Sequence, residues 1–222
     1  MKNWLRDNRG FVLFLVCFGF FRTAIADWNP IPSGSMRPNL LEGDVVLVNR
    51  LAYDFKLPLT NVVVAHVGEP TRGDIVTFSS PKDGTRLIKR IVALPGDVVE
   101  MRREVLLVNG NAADYSEPEA LLEPGEHAGG TRAVRLTETL GQDKRRIQLL
   151  DGVAAKNTFG PVTVPAEHYL MLGDNRDNSA DSRYIGFVPR HLLIGQAKRI
   201  LVSADILGSW LPRLDRFGQT LQ

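Results

Sequence analysis

Two hydroxyls stand two residues apart at Ser33 and Ser35, with Gly34 between them and Pro32 and Pro38 on either side. The prolines stiffen this loop and the glycine permits a tight bend. Further along, Arg86-Leu87-Ile88-Lys89-Arg90 reads as a strand. Alternation places Leu87, Lys89, Ile91 and Ala93 on one face, with Arg86 and Arg90 on the other. A lysine among apolar neighbours is desolvated, and desolvation lowers its pKa from about 10.4. A neutral amine beside a serine hydroxyl takes its proton, which is the Ser-Lys form of nucleophilic catalysis. The second hydroxyl is then available as an oxyanion donor. Each motif alone also has a plainer reading: a Pro/Gly/Ser linker, and a lysine that snorkels to a sheet edge.

A third stretch, Gly173-Asp174-Asn175-Arg176-Asp177-Asn178-Ser179-Ala180-Asp181-Ser182-Arg183, is too charged for a core unless its groups are paired. A calcium loop fails on spacing. Counted from Asp177, position six is Ser182 where Gly is needed, and position twelve is Val188 where Glu is needed. Ser79-Ser80-Pro81-Lys82 matches Ser-x-x-Lys, but that motif needs a helix and Pro81-Lys82-Asp83-Gly84 makes a turn.

The elements that must position these groups are mostly strands. Asp44–Asn49, Asp74–Phe78, Arg86–Ala93, two short runs within Val98–Val108, Val162–Val164, Tyr169–Leu172 and Gln196–Val202 are β-branched and bounded by Gly, Pro, Asp or Asn. Residues 74–93 read as a hairpin. Gly-Asp pairs at 43–44, 73–74, 96–97 and 173–174 read as turn entries, so Arg72-Gly73-Asp74 is a turn and not an adhesion motif. Residues 103–159 have weaker periodicity and read as a less regular β insertion, returning to the core near Pro161.

Composition narrows the function classes. The 222 residues carry 27 basic and 25 acidic side chains, a net charge of +2, which gives no field to attract nucleic acid. Lys144-Arg145-Arg146 reads as a solvated turn. Cys17 is the single cysteine, so no intrachain disulfide and no cysteine metal site is available. His66, His127, His168 and His191 are scattered and read as surface or packing residues, with no metal site expected.

Lys2, Arg6 and Arg9 precede an apolar run from Phe11 to Phe21, and Ala24-Ile25-Ala26 follows. Two readings compete: a cleavable signal peptide ending in Ala-x-Ala, and a short transmembrane helix over residues 10–26 with Arg22 and Trp28 at its outer interface. The basic residues predict a cytoplasmic N-terminus and an exported body. A reactive serine just beyond this segment favours the anchor. The tail from Leu207 is too short and polar to span again.

Taken in order, Pro32-Ser33-Gly34-Ser35-Met36, Asp44-Val45-Val46-Leu47-Val48, Arg72-Gly73-Asp74-Ile75-Val76, Ile88-Lys89-Arg90 with Leu94-Pro95-Gly96-Asp97, and the 173–183 stretch resemble the boxes of bacterial type I signal peptidases. The resemblance covers roughly Phe11 to Leu201 and is weakest over 103–159. It implies a membrane-bound serine endopeptidase of the bacterial cytoplasmic membrane. Such an enzyme removes signal peptides from exported pre-proteins after a small-x-small motif, with its catalytic domain on the outer face. It implies Ser35 as nucleophile and Lys89 as general base, with the oxyanion held by the Ser35 N–H and Ser33. It further implies Ser179 orienting Lys89, an Asp181–Arg183 ion pair, and Arg90 paired with Asp174. No metal or cofactor is expected, and the chain is expected to be monomeric.

The fold implied is mainly β: a single N-terminal transmembrane helix, then a β-rich catalytic core with an inserted smaller β domain. In residue ranges this is a cytoplasmic N-terminus 1–9, an anchor 10–26, core 27–102, insertion 103–160, core 161–203 and a tail 204–222. Substrate peptides are expected to bind extended, by strand addition to a sheet edge. Two other functions stay open: a conjugation-type peptidase that matures pilin precursors with a similar dyad, and a non-catalytic membrane-tethered β scaffold. A self-cleaving repressor protease would need a helix-turn-helix module where this chain has an apolar segment.

Overall fold

The computed structural model describes residues 4, 7–57, 60, 62–123 and 130–221. Lys2, Arg6 and His127 lie outside the described residues, and with them part of the expected basic N-terminal cluster. Helix α1 spans Arg9–Ala24 and leads directly into strand β1, Ala26–Pro30. The strands β2 (Asp44–Asn49), β3 (Asp54–Lys56), β4 (Val63–His66), β5 (Ile75–Ser79) and β6 (Arg86–Ala93) follow. Next come β7 (Val98–Arg102), β8 (Val105–Val108), β9 (Asn111–Ala112), β10 (Asp114–Glu123), β11 (Thr131–Leu140), β12 (Asp143–Leu150) and β13 (Phe159–Thr163). β14 (His168–Leu172), the short helix α2 (Ser182–Ile185), β15 (Val188–Pro189) and β16 (Leu193–Ser203) complete the body.

A seven-stranded antiparallel sheet in the order β1-β2-β16-β5-β6-β14-β15 forms the scaffold. Apolar alternation along its strands fills both faces. Met36, Leu40, Val46, Val48, Ile75 and Ile200 pack on one side; Val76, Phe78, Ile91, Met171 and Leu193 pack on the other. A third cluster joins Val92, Ala93 and Leu172 to Val99, Met101 and Leu106 of the small β13-β7-β8-β9 sheet. The residue 103 boundary expected for the insertion therefore falls in the turn of the β7–β8 hairpin.

The chain within 103–159 is more regular than its sequence pattern predicts. β10, β11 and β12 pair as a meander with strands of 10, 10 and 8 residues. Its periodicity is masked because polar residues share the inward positions: Glu138, Arg145 and Gln148 are buried along with Ala133, Leu140 and Ile147. Lys144-Arg145-Arg146 is thus a strand segment and not a solvated turn. Arg145 lies opposite Glu138 in register and pairs with it at 2.5 Å.

The apolar N-terminal segment also differs from its expected bounds. Its 16 helical residues span about 24 Å at about 1.5 Å per residue. Among the described residues no helix is long and apolar enough to cross a membrane. Ala26 belongs to β1, so Ala24-Ile25-Ala26 is a helix-to-strand junction. Arg22 does not extend freely: it pairs with Asp27 at 3.2 Å and stacks over Trp28 at 4.4 Å. Phe18 also meets the Trp28 ring, which docks the end of α1 onto β1. The tail folds back on β2 and β16, where Arg216 binds Asp44 at 2.5 Å and Arg213 donates to Ser203 Oγ at 3.3 Å.

Candidate active site

The turn that carries Ser35 leaves β1 at Pro30 and is pinned at both ends. Ile31 N–H donates to Asp44 O, and Met36 and Leu40 are buried in the core. Between them Gly34–Met36 forms one turn of 3-10 helix, closed by Arg37 N–H donating to Gly34 O at 3.1 Å. A Cβ at Gly34 would come within 2.9 Å of Glu42 Oε1, so glycine suits the bend. Ser35 is 8% exposed and Ser33 is exposed. Arg37 ties the turn to the inserted sheet, pairing with Glu42 at 2.8 Å and with Glu123 of β10.

Lys89 lies on β6 and is 3% exposed. Its Nζ is 2.8 Å from Ser35 Oγ and donates to Ile88 O at 2.8 Å. Burial pulls its pKa down from 10.5 to about 8; the negative charges of Asp181 and Asp174 oppose the fall and limit it. The structure therefore brings together two residues 54 positions apart in sequence.

The 173–183 stretch packs behind this pair. Asp174 grips Arg90 through two bonds of 2.9 and 2.8 Å, with both side chains buried. Alternation sends Arg90 away from Lys89, yet both are buried, because β6 is covered on both faces. Burial pulls the Arg90 guanidinium down, but Asp174 outweighs it and holds the pKa above the ordinary value. Asp181 caps α2, accepts from Gly173 N–H at 3.0 Å, and pairs with Arg183 at 2.8 Å.

Ser179 departs from the expected bond. Its Oγ is buried without a hydrogen-bond partner among the described residues, and the structure forms no hydrogen bond between it and Lys89. It lies against Gly173 instead: a Cβ on Gly173 would overlap Ser179 Oγ and reach 2.5 Å from Ser35 O.

Several residues to which the sequence reading assigns no individual role also join the site. Asn39 donates to Asp174 at 2.6 Å. Asn175 donates from its side chain to Gly34 O and from its backbone to Ser35 O. Arg176 reaches Glu138 at 2.6 Å, where Arg145 and the Tyr115 hydroxyl also converge. Burial pushes the Glu138 pKa up, but the two arginines outweigh it and hold the carboxyl at about 2. At the other end of the cleft Arg86 crosses from β6 to Asp27 at 3.1 Å and Asn29 at 2.8 Å on β1.

β14 pairs with β6 only from Arg90 to Ala93. One edge of Arg86–Lys89 is consequently unpaired beside Ser35, while β5 covers the other. Among the described residues no group of three or more His, Cys, Asp or Glu is placed to hold a metal.

Compared with known proteins, residues 1–202 match the family model described as signal peptidase, peptidase S26. A signal peptidase I of Pseudomonas aeruginosa is 38% identical over 221 residues, covering 93% of this chain and 75% of its own length. One from Pseudomonas fluorescens is 38% identical over 220 residues, with the same coverages of 93% and 75%. A crystal structure of a signal peptidase I from Enterococcus faecalis aligns with 58% of this chain and 96% of its own, at 30% identity and a TM-score of 0.35.

Proposed function

The chain belongs to the signal peptidase family, peptidase S26, and acts as a serine peptidase on signal peptides; we propose that Ser35 is its nucleophile and Lys89 its general base. The observation that carries this assignment is the 2.8 Å approach of Lys89 Nζ to Ser35 Oγ in a buried site. Ile88 O takes one Lys89 N–H, leaving the nitrogen lone pair for the serine proton. Neutral Lys89 accepts that proton as Oγ attacks the carbonyl carbon of the residue before the cut. The Ser35 N–H and the Ser33 hydroxyl are the donors for the developing oxyanion. The Lys89 ammonium then protonates the leaving amine, and the lysine later activates the water that releases the acyl group. A buried hydroxyl left unpaired is unfavourable, which supports Ser179 taking up Lys89 once the lysine is charged. Asp174–Arg90 and Asp181–Arg183 hold the loop that carries Ser179.

The substrate runs extended along the unpaired edge of Arg86–Lys89, opposite Pro30–Ser33, with small side chains at the first and third positions before the cut. Core segments 27–102 and 161–203 carry this cleft, and the 103–160 insertion braces it from the side. The exposed Phe11, Leu13, Phe14, Val16 and Phe18 of α1 support placement of this helix in a bilayer, body on the outer face. A helix of about 24 Å falls short of a hydrocarbon core of about 30 Å. Local thinning and the Arg22–Trp28 pair at the boundary accommodate that difference. The test is cleavage in detergent of a pre-protein with an Ala-x-Ala site. Wild type should cut at one bond, and Ser35→Ala and Lys89→Ala should not; cutting that survives in either variant removes that residue from its role.

A further inference from the structure

We propose that Asn175 is a positioning residue for the oxyanion site, because its side-chain amide pins the carbonyl of the peptide whose N–H is the Ser35 donor. Asn175 is 2% exposed, and its Nδ2 donates to Gly34 O at 3.0 Å. The Gly34 carbonyl and the Ser35 N–H belong to one planar trans peptide unit, so fixing the direction of one fixes the opposite direction of the other. Arg37 N–H donates to the same carbonyl at 3.1 Å, and Asn175 N–H holds the next carbonyl, Ser35 O, at 3.1 Å. The turn is thereby held by both carbonyls that flank the reacting serine. No group among the described residues accepts from the Ser35 N–H. That donor is left open beside Oγ, and two hydrogen bonds to its own carbonyl polarise it further.

The orientation of the Asn175 amide follows from its partner. A carbonyl can only accept, so of the two amide atoms the donor Nδ2 faces Gly34, and Oδ1 is the buried atom without a partner. Asn175 is itself held from both sides. Asp174 and Arg176, its chain neighbours, carry the buried pairs to Arg90 and Glu138. Gln148 of β12 brackets it, donating from its N–H to Asp174 O at 2.8 Å and accepting from Arg176 N–H at 2.9 Å. The inserted sheet therefore reaches the oxyanion site through Asn175. Ser33, by contrast, is exposed and its hydroxyl makes no capping bond to the turn it precedes, which leaves the backbone N–H as the fixed donor.

This inference rests on Ser35 as nucleophile, and the test separates the two. Full-length Asn175→Ala and Asn175→Asp are assayed in detergent on an Ala-x-Ala pre-protein beside Ser35→Ala. Asn175→Asp keeps the size and the backbone bond but loses the side-chain donor at neutral pH. Both variants should lose about 10- to 100-fold in kcat, less than removal of an oxyanion donor itself, with KM within twofold. A peptide aldehyde, which forms a tetrahedral adduct on the serine, should weaken by the same factor. A reduced-amide peptide, which has no carbonyl at that position, should bind as to wild type, and in Asn175→Ala, which adds no charge near Lys89, the pH at half-maximal kcat/KM should not move. A kcat loss below threefold in Asn175→Asp overturns the inference. So does an equal weakening of the reduced-amide peptide, which marks general distortion. If Ser35→Ala still cleaves, the nucleophile assignment fails first; if it is inactive and the Asn175 variants are normal, only this inference fails.

Discussion

Replacing Lys89 with methionine should abolish cleavage and yet stabilise the protein at neutral pH. Methionine is unbranched like lysine, one atom shorter, and suits a buried, partly apolar site. The drop in Lys89 pKa from 10.5 to about 8 corresponds to a burial penalty of about 3 kcal/mol on the charged form. The sign follows from which state binds the proton. Below pH 8 both folded and unfolded chains hold it, and the folded state bears the whole penalty. Between about 8 and 10.5 the unfolded chain binds more proton, so wild-type stability rises with pH; above 10.5 the penalty is gone. Methionine also removes the bonds to Ser35 Oγ and Ile88 O, each contributing about 1 kcal/mol. The variant should therefore be about 1 kcal/mol more stable than wild type at pH 7 and about 2 kcal/mol less stable at pH 11. Other titrating groups are common to both proteins and cancel in the difference. Guanidinium unfolding of both, in one detergent from pH 6 to 11, measures it. A difference that stays flat with pH would refute a depressed Lys89, and with it one ground for proposing Lys89 as the base.

The pH dependence of cleavage carries the same charge balance. Wild-type kcat/KM should rise with pH to a half-point near 8, the pH at which Lys89 is half neutral. Asp181→Asn should move that half-point toward acid, because the Asp181 charge opposes the lowering. Arg183→Met, which leaves Asp181 unpaired, should move it toward base; equal directions would disprove the field argument. Glu138→Gln leaves Arg145 and Arg176 buried without their carboxylate, expected to destabilise by about 3–5 kcal/mol at pH 6. The Glu138 contribution is present above its ordinary carboxyl range and lost as pH falls through about 2. Chemical unfolding at pH 6 and pH 2 should therefore show the wild-type advantage shrinking in acid. Gly173→Ala should abolish cleavage, since the added Cβ meets Ser179 and Ser35 O; near-normal kcat in that variant would show the cradle behind the serine to be loose.

What could be read from the chain, and what could not, divides along physical lines. Alternation placed Lys89 among apolar neighbours, and the 74–93 hairpin carries it as the turn chemistry of Pro81–Gly84 requires. Alternation reports sides and not depth, however. Arg90 faces away from Lys89 and is nonetheless buried, because its charge is matched by Asp174, 84 residues later. The meander of β10–β12 escaped the hydrophobic pattern for a related reason. Its interior is held by Glu138, Arg145 and Gln148, residues that a period-two hydrophobic reading counts as surface. Asn175 acts on main-chain carbonyls, and a carbonyl leaves no trace in a sequence. The helix end moved because Ala26 pairs with Asn49, and strand pairing ended the helix at Ala24, two residues before the expected end of the anchor.

The pairing of the buried charges around Ser35 lets burial lower the Lys89 pKa to about 8 while its surroundings are not apolar throughout. An apolar pocket alone would depress an amine but would hold no polar loop in place. Here the loop that positions the serine contains two aspartates whose fields would charge the lysine if they stood alone. Each is instead closed by its own arginine, Asp174 by Arg90 and Asp181 by Arg183, at 2.8 Å. A closed pair presents a dipole where a bare carboxylate presents a charge, and desolvation is then the larger effect on Lys89. The ion pairs are therefore part of the Lys89 environment as well as struts for the loop. That double role explains why a stretch so rich in charge sits against a β-sheet core, where charge by itself would be destabilising.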